Sequence, residues 1–128
     1  MLLAQDEDGL KEYVYDKLKT GDAWWIPDAL SQFGTRDRHP WIVITDYSPK
    51  RPPVLACPRT SQVENRTRGI LMPANILPGL EREGIILLSF RRSFAAHRFR
   101  DFEYIGGLPD VWIQRIREGA KRTTGSTR

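Results

Sequence analysis

The chain has 128 residues, of which 40% are hydrophobic and 28% charged, and these values are typical of one folded domain rather than of a disordered segment. No apolar run approaches the roughly 20 residues of a membrane-spanning helix, and the acidic N-terminus differs from a signal peptide. The net charge is +4, and the single cysteine, Cys57, excludes an internal disulfide and a cysteine-rich metal site, so we expect a cytoplasmic protein that is not bound to a membrane.

The N-terminal part of the chain predicts a helix, a strand and a loop. Four apolar residues at helical spacing define one face of a helix over residues 8–19: Leu10, Tyr13, Val14 and Leu18. Residues 22–26 are rich in aromatic and apolar side chains and predict a strand that Pro27 ends. Residues 28–38 are polar and long for a hairpin connection, so we predict a loop that covers a functional site.

The middle of the chain predicts short strands with turns between them. Apolar runs predict strands over residues 41–45, 53–57, 70–72 and 85–90, and the last is the strongest of them. Residues 93–98 fit either a short strand or a helical turn. These strands lack the crossover helices of a parallel sheet, so we predict an α+β fold that is mostly β, namely a small antiparallel barrel with flanking helices.

The C-terminal part predicts a turn, a helix and a tail. Gly106 and Gly107 predict the turn, and the helix extends from Asp110 to about Glu118. Its apolar lining consists of Val111, Trp112, Ile113 and Ile116. Residues 121–128 are basic and rich in small residues, which predicts disorder. We therefore divide the chain into an acidic helical extension (residues 1–19), a barrel domain (20–119) and a disordered basic tail (120–128).

The large aromatic residues divide into core and surface positions. We expect most of four to lie in the core: Trp24, Trp41, Phe90 and Trp112. Trp25 is the aromatic residue least certain to be buried, and an exposed aromatic ring beside arginines can stack on single-stranded bases.

The charges are unevenly distributed along the chain. Residues 1–20 carry five acidic residues against three lysines, whereas residues 36–68 carry seven basic residues, six of them arginine, against three acidic ones. The planar fork of arginine suits phosphate groups and base edges better than the ammonium of lysine does. The basic segment therefore favours an anionic partner, and nucleic acid first.

Two polar segments that flank predicted strands are the candidates for a site. Arg38 and His39 precede the strand at 41–45, and residues 58–62 (PRTSQ) follow the strand at 53–57. If the two strands pair as a hairpin, five side chains gather at one edge: Arg38, His39, Arg59, Thr60 and Ser61. Each segment, taken alone, also has an ordinary interpretation. His39 would be a solvated histidine at a strand edge, and residues 58–62 would be a simple turn.

Such a cluster has the groups needed to cleave RNA without a metal ion. The nucleophile would be the 2′-OH of the substrate, and histidine transfers protons near neutral pH. Arginine and hydroxyl groups would stabilise the charge that develops on the phosphate oxygens. His39 and His97 are isolated from other ligand-type residues, so we expect neither a metal site nor a cofactor.

Five segments occur in an order that resembles the PemK/MazF family of toxin–antitoxin endoribonucleases. They are residues 21–26 (GDAWWI), 39–44 (HPWIVI), 58–62 (PRTSQ), 79–88 (GLEREGIILL) and 106–118. The resemblance implies a barrel of the CcdB/PemK/MazF type, related to the Src-homology-3 barrel and usually a homodimer. It further implies a growth-inhibiting toxin that cuts single-stranded mRNA at short sequences, without metal, and leaves a 2′,3′-cyclic phosphate. The implied partner is an antitoxin whose acidic, disordered tail occupies the RNA groove.

The resemblance also implies roles for single residues. The catalytic threonine of the family falls on Thr60, and we expect His39 and Arg38 to complete the catalytic set. The expected RNA-binding residues surround them: Trp25, Arg36, Arg59, Ser61, Gln62 and Arg66.

The chain departs from the family pattern at two places. The family's catalytic arginine, just before proline, falls on His39, and the family's acidic residue followed by glutamine falls on Ser89 and Phe90. One interpretation is that His39 transfers protons while Arg38 or Arg59 stabilises the phosphate. The alternative is a member of the fold that has lost catalysis and either binds RNA or inhibits a protein target such as DNA gyrase, as the CcdB branch does. The predicted helix at residues 8–19 would lie along a dimer interface or shield the basic groove.

Overall fold

A computed structural model describes residues 14–31, 38–61 and 69–122. Within these ranges the strands are β1 (Asp22–Pro27), β2 (Arg38–Val43), β3 (Pro53–Thr60), β4 (Ile70–Met72), β5 (Gly84–Ile86), β6 (Arg92–Ala95) and β7 (Glu103–Gly107). The helices are α1 (Asp28–Ser31) and α2 (Asp110–Arg122), with 3₁₀ turns at Leu88–Phe90 and Ala96–Asp101. None of the helices in the described part is long and apolar enough to cross a membrane.

The strands form one antiparallel sheet in the order β4-β5-β3-β2-β1-β7, and β6 pairs with β3 outside this path. β3 organises the sheet because it pairs with β2 along one edge and with two strands along the other. Residues 53–56 pair with β6, and residues 59–60 pair with β5. This change of partner curls the sheet into a half-barrel, which confirms the predicted fold class.

Two apolar clusters cover the two faces of the sheet. Alternate residues of β2 enter different clusters, with Trp41 and Val43 in one and Ile42 in the other, as the two-residue period of a strand requires. Phe94 and Phe99 close the first cluster, and the rings of Trp41 and Phe94 meet edge to face with centroids 5.3 Å apart. α2 closes the second cluster by burying Trp112 and Ile116.

The predicted face of the N-terminal helix is buried where the structure describes it. Residues 14–16 are helical, and Val14 and Leu18 lie in the first cluster. Leu10 and Tyr13 lie outside the described residues. The described end of this segment packs against the sheet of its own chain, as part of the core.

Several predicted boundaries are wrong, and tertiary pairing explains them. Part of the predicted loop at 28–38 is α1, and β2 begins at Arg38 because β1 supplies pairing partners as far as that residue. β3 continues to Thr60 because β5 pairs with its end, so residues 58–60 are strand rather than turn. The apolar run at 85–90 is strand only to Ile86 and then turns into a 3₁₀ helix.

Other corrections concern the C-terminal part and the core. Gly106 and Gly107 end β7 rather than form a turn, because both residues pair with β1 next to an irregularity in register. α2 extends to Arg122, past the predicted end, and residues 123–128 of the tail lie outside the described residues. The expectation that most of the four large aromatic residues lie in the core is confirmed, since Trp24, Trp41 and Trp112 are buried and Phe90 is 47% exposed. Val111, expected in the apolar lining of the C-terminal helix, is 58% exposed and does not belong to the core.

Replacing Trp41 with alanine is expected to lower the free energy of unfolding by about 3–5 kcal/mol, because it leaves a large cavity in the first cluster. Val111→Ala is the matched control, since Val111 is exposed and its truncation should change stability by less than about 0.5 kcal/mol. Urea denaturation followed by circular dichroism measures both values. Equal denaturation midpoints for the two variants would contradict the packing of Trp41 in the first cluster.

Candidate functional site

A cleft of about 370 Å³ opens where the end of β1, the start of β2 and the end of β3 meet. The register places them at one edge, since Trp25 pairs with Pro40 and Trp41 pairs with Pro58. The segment before β5 forms the remaining wall. The lining residues are Trp25, Arg38, His39, Pro40, Arg59, Ser61, Gly79, Leu80, Glu81 and Arg82.

The structure brings together five of the residues expected at the site. Trp25, Arg38, His39, Arg59 and Ser61 all line the cleft. Thr60 does not line it: this residue is only 5% exposed. The other expected RNA-binding residues lie outside the described part of the chain: Arg36, Gln62 and Arg66.

His39 contacts a carboxylate that sequence analysis missed. Its Nδ1 lies 2.7 Å from Oδ1 of Asp28, and both side chains are largely buried. Asp28 is the first residue of α1, directly after the last residue of β1. The sequence predicts a polar loop at this residue, and nothing in the spacing of Asp28 and His39 along the chain indicates the contact.

Arg59 is buried at the base of the cleft, with 4% of its surface exposed. Its Nη2 donates a hydrogen bond to the backbone carbonyl of Arg82, and its Nε is buried with no hydrogen-bond partner in the described structure. Loss of solvent around the guanidinium lowers the pKa of Arg59 from its usual value. A buried cation with unused donor capacity is suited to bind an anion that enters the cleft.

Gly84 permits this position of the guanidinium. It is the first residue of β5, and a Cβ at this residue would lie 2.6 Å from Cζ of Arg59. Any larger residue would therefore push the guanidinium aside. The sequence contains Gly84 in a turn-like GxxxxG stretch but carries no sign of this contact.

Arg38 is held at the rim of the cleft by two contacts, one with the exposed Glu103 and one with the half-buried Trp25. Its Nη1 lies 2.6 Å from Oε1 of Glu103, and its Cζ stands 4.5 Å from the ring centroid of Trp25. Such surface pairs contribute little to stability, typically about 0.2–1 kcal/mol. Their effect is to hold a cation and an aromatic ring next to each other at the entrance.

The charge of the cleft is positive overall. Arg38, Arg59 and Arg82 line it together with one acidic residue, Glu81. A concave wall of one sign concentrates ligands of the opposite sign. In the described ranges no group of three or more His, Cys, Asp or Glu side chains has the arrangement to hold a metal ion.

No protein-family model matches the sequence, and no curated protein sequence matches it significantly. Solved structures do match. MazF from Deinococcus radiodurans superposes with a TM-score of 0.63 at 23% identity, over 84% of this chain and 96% of that chain. A MazE–MazF structure from the same organism gives a TM-score of 0.62 at 22% identity, over 84% of this chain and 94% of that chain. The chain therefore has the MazF fold, as its resemblance to the PemK/MazF family predicts.

Proposed function

We propose that the protein is the toxin of a toxin–antitoxin pair and acts as an endoribonuclease on single-stranded RNA, without a metal ion. The observation that carries the proposal is that His39 and Arg59 line the same cleft. The first is a group that transfers protons, and the second is a buried cation that no described carboxylate neutralises. The MazF fold and the positive cleft support the same reaction class.

The chemistry assigns each side chain a role. The substrate's 2′-OH attacks the neighbouring phosphorus, the bond to the 5′-oxygen breaks, and the products are a 2′,3′-cyclic phosphate and a 5′-OH. His39 transfers a proton at one of the two oxygens, and Arg59 stabilises the charge on the non-bridging phosphate oxygens. Arg38 and Trp25 hold a flanking nucleotide at the rim by charge and stacking. The further RNA-binding residues that we propose are Ser61, Arg36, Gln62 and Arg66.

We assign the protein partner from the charge of the same cleft. Three arginines on its walls favour an acidic segment, so the proposed partner is a cognate antitoxin with an acidic, disordered tail that occupies the RNA site. Three of the similar solved structures are MazE–MazF structures, which is consistent with such a pairing. We further propose a cytoplasmic homodimer built from the barrel domain at residues 20–119.

The test is incubation of the purified protein with a long single-stranded RNA in EDTA. The proposal expects discrete cuts whose 3′ ends carry a cyclic phosphate, so they accept a poly(A) tail only after enzymatic removal of the phosphate. The same RNA with 2′-O-methyl groups at the mapped positions should stay intact, because it lacks the nucleophile. Unmodified RNA that remains whole at high protein concentration would refute the proposal.

The burial of Thr60 favours a second candidate, a member of the fold that binds RNA without cutting it. The family's catalytic threonine falls on this residue, yet Thr60 does not line the cleft. This candidate expects the uncut RNA to be shifted in a gel, with the shift abolished by Arg59→Met. Cleavage in EDTA would exclude it.

Replacing Gly84 with alanine is expected to lower the cleavage rate by about 10- to 10²-fold, because the new methyl group displaces the Arg59 guanidinium from its place in the cleft. The measurement is single-turnover cleavage of an end-labelled RNA. Arg59→Met provides the control background: once the guanidinium is gone, Gly84→Ala should have no further effect on the rate. Additive losses in the double variant would show that Gly84 acts elsewhere.

A further inference from the structure

Asp28 and His39 form a contact pair between α1 and β2. Asp28 Oδ1 and His39 Nδ1 are 2.7 Å apart, and the two side chains are 9% and 12% exposed. Ile26 of β1 pairs with His39, so Asp28 lies two residues beyond the position opposite the histidine. The contact therefore joins the first residue of α1 to the start of β2, where His39 lines the cleft.

The chemistry of this contact determines which nitrogen of His39 carries hydrogen. An ionised carboxylate only accepts hydrogen bonds, so the proton of a neutral His39 lies on Nδ1. With Nδ1 committed to Asp28, Nε2 is the nitrogen through which His39 exchanges a proton with a ligand. The contact with Asp28 thus favours one orientation of the ring and one tautomer.

The burial of Asp28 argues against a purely structural role. Its second oxygen, Oδ2, is buried and has no hydrogen-bond partner among the described residues. A carboxylate oxygen left in this state costs free energy, which a neutral or apolar residue at this position would avoid. Buried polar atoms without a partner are uncommon in folded proteins, and a role in catalysis is one recognised reason to keep them.

Other charged groups surround His39, but their contacts differ from that of Asp28. The side chain of Arg38 pairs with Glu103, and that of Arg59 bonds to a backbone carbonyl. Asp28 is hydrogen-bonded to the imidazole itself. The charged groups that face the cleft beside the ring come from β2, β3 and the segment before β5: Arg38, Arg59, Glu81 and Arg82.

We propose that Asp28 is the positioning residue of His39: it holds the ring in the Nδ1–H tautomer and directs Nε2 at the bound phosphodiester. The inference rests on the proposed function, because the tautomer matters for turnover only when His39 moves a proton. The inference adds Asp28, which lies outside the PRTSQ and RHP segments, to the site. Asp28 would compensate for the presence of His39 where the family has its catalytic arginine. A carboxylate that orients a proton-transferring histidine is a recurrent arrangement in catalytic sites.

The first test is the tautomer of His39 by ¹⁵N NMR of side-chain-labelled histidine. The chain has two histidines, and the exposed His97 serves as the internal reference. Neutral His39 should show a protonated Nδ1 and an unprotonated Nε2. In Asp28→Ala and in the isosteric Asp28→Asn this single tautomer should be lost, because alanine accepts nothing and an amide can also donate to Nδ1.

Asp22→Asn is the matched control for the loss of a buried carboxylate. Asp22 lies at the opposite end of β1 and bonds to Tyr104 and to the backbone of Lys19. This variant should leave the His39 tautomer unchanged. An Nε2–H tautomer in the wild type, or the same Nδ1–H tautomer in both Asp28 variants, would overturn the inference.

The second test separates turnover from binding. Asp28→Asn should lower kcat for RNA cleavage by about 10- to 10²-fold with KM changed less than about 3-fold. In the His39→Gln background the same substitution should have no further effect on kcat, since no imidazole is left for Asp28 to orient. A further loss in that background would assign Asp28 a structural role and overturn the inference.

The two tests distinguish a failure of this inference from a failure of the proposed function. If Asp28→Asn cleaves RNA at the wild-type rate, Asp28 does not position His39 for catalysis, and the proposed function still stands. If the wild type leaves RNA intact, the proposed function fails and the catalytic part of this inference fails with it, whatever the tautomer. If Asp28→Asn loses the single His39 tautomer and also loses kcat with KM little changed, the result supports both the proposed function and the positioning role of Asp28.

Discussion

Replacing His39 with glutamine is expected to lower the rate of RNA cleavage by about 10²- to 10⁴-fold, the range that removal of a general acid or base produces. Glutamine keeps much of the volume and can still hydrogen-bond to Asp28, so the fold and the cleft should persist. Single-turnover cleavage of an end-labelled RNA measures the rate, and binding of a 2′-O-methyl RNA measures affinity. Affinity should change by only a few-fold.

His97→Gln is the matched control for this prediction. His97 is the other histidine of the chain, and it is exposed in the 3₁₀ turn at Ala96–Asp101, outside the cleft. Its replacement should leave the cleavage rate unchanged. Cleavage by His39→Gln at the wild-type rate would remove His39 from the mechanism and shift the search for a proton-transfer group elsewhere.

Replacing Arg59 with methionine is expected to separate activity from stability. The rate of cleavage should fall by about 10²- to 10³-fold, because the cleft loses the cation that stabilises the phosphate oxygens. The free energy of unfolding should stay the same or rise by about 1–3 kcal/mol, since a buried guanidinium with an unpartnered Nε is replaced by an apolar chain of similar length.

Single-turnover cleavage and urea denaturation measure the two quantities on the same preparation. Arg122→Met is the control, because Arg122 is exposed in the last turn of α2 and should change neither quantity appreciably. A strong loss of stability in Arg59→Met would mean that the guanidinium holds the fold together. In that case the burial of the Arg59 guanidinium would not support a role in phosphate binding.

The candidate site was partly predictable from sequence because it lies at the ends of strands. The polar segments at Arg38 and at residues 58–62 stand next to apolar runs, and antiparallel pairing of those runs brings such segments to one edge. What the segments do there was not predictable. The burial of Arg59 depends on Gly84 and on the carbonyl of Arg82, both more than 20 residues away along the chain.

The sequence by itself determined the fold class, most of the buried tryptophans and the uneven distribution of charge, because apolar periodicity and composition are local properties. The tertiary structure alone decided the ends of the strands, the exposure of Phe90, the burial of Thr60 and the contact between Asp28 and His39. Each of these depends on which strand pairs with which, and in what register. The apolar pattern along a segment predicts that the segment is buried, but it does not indicate which other segment packs against it.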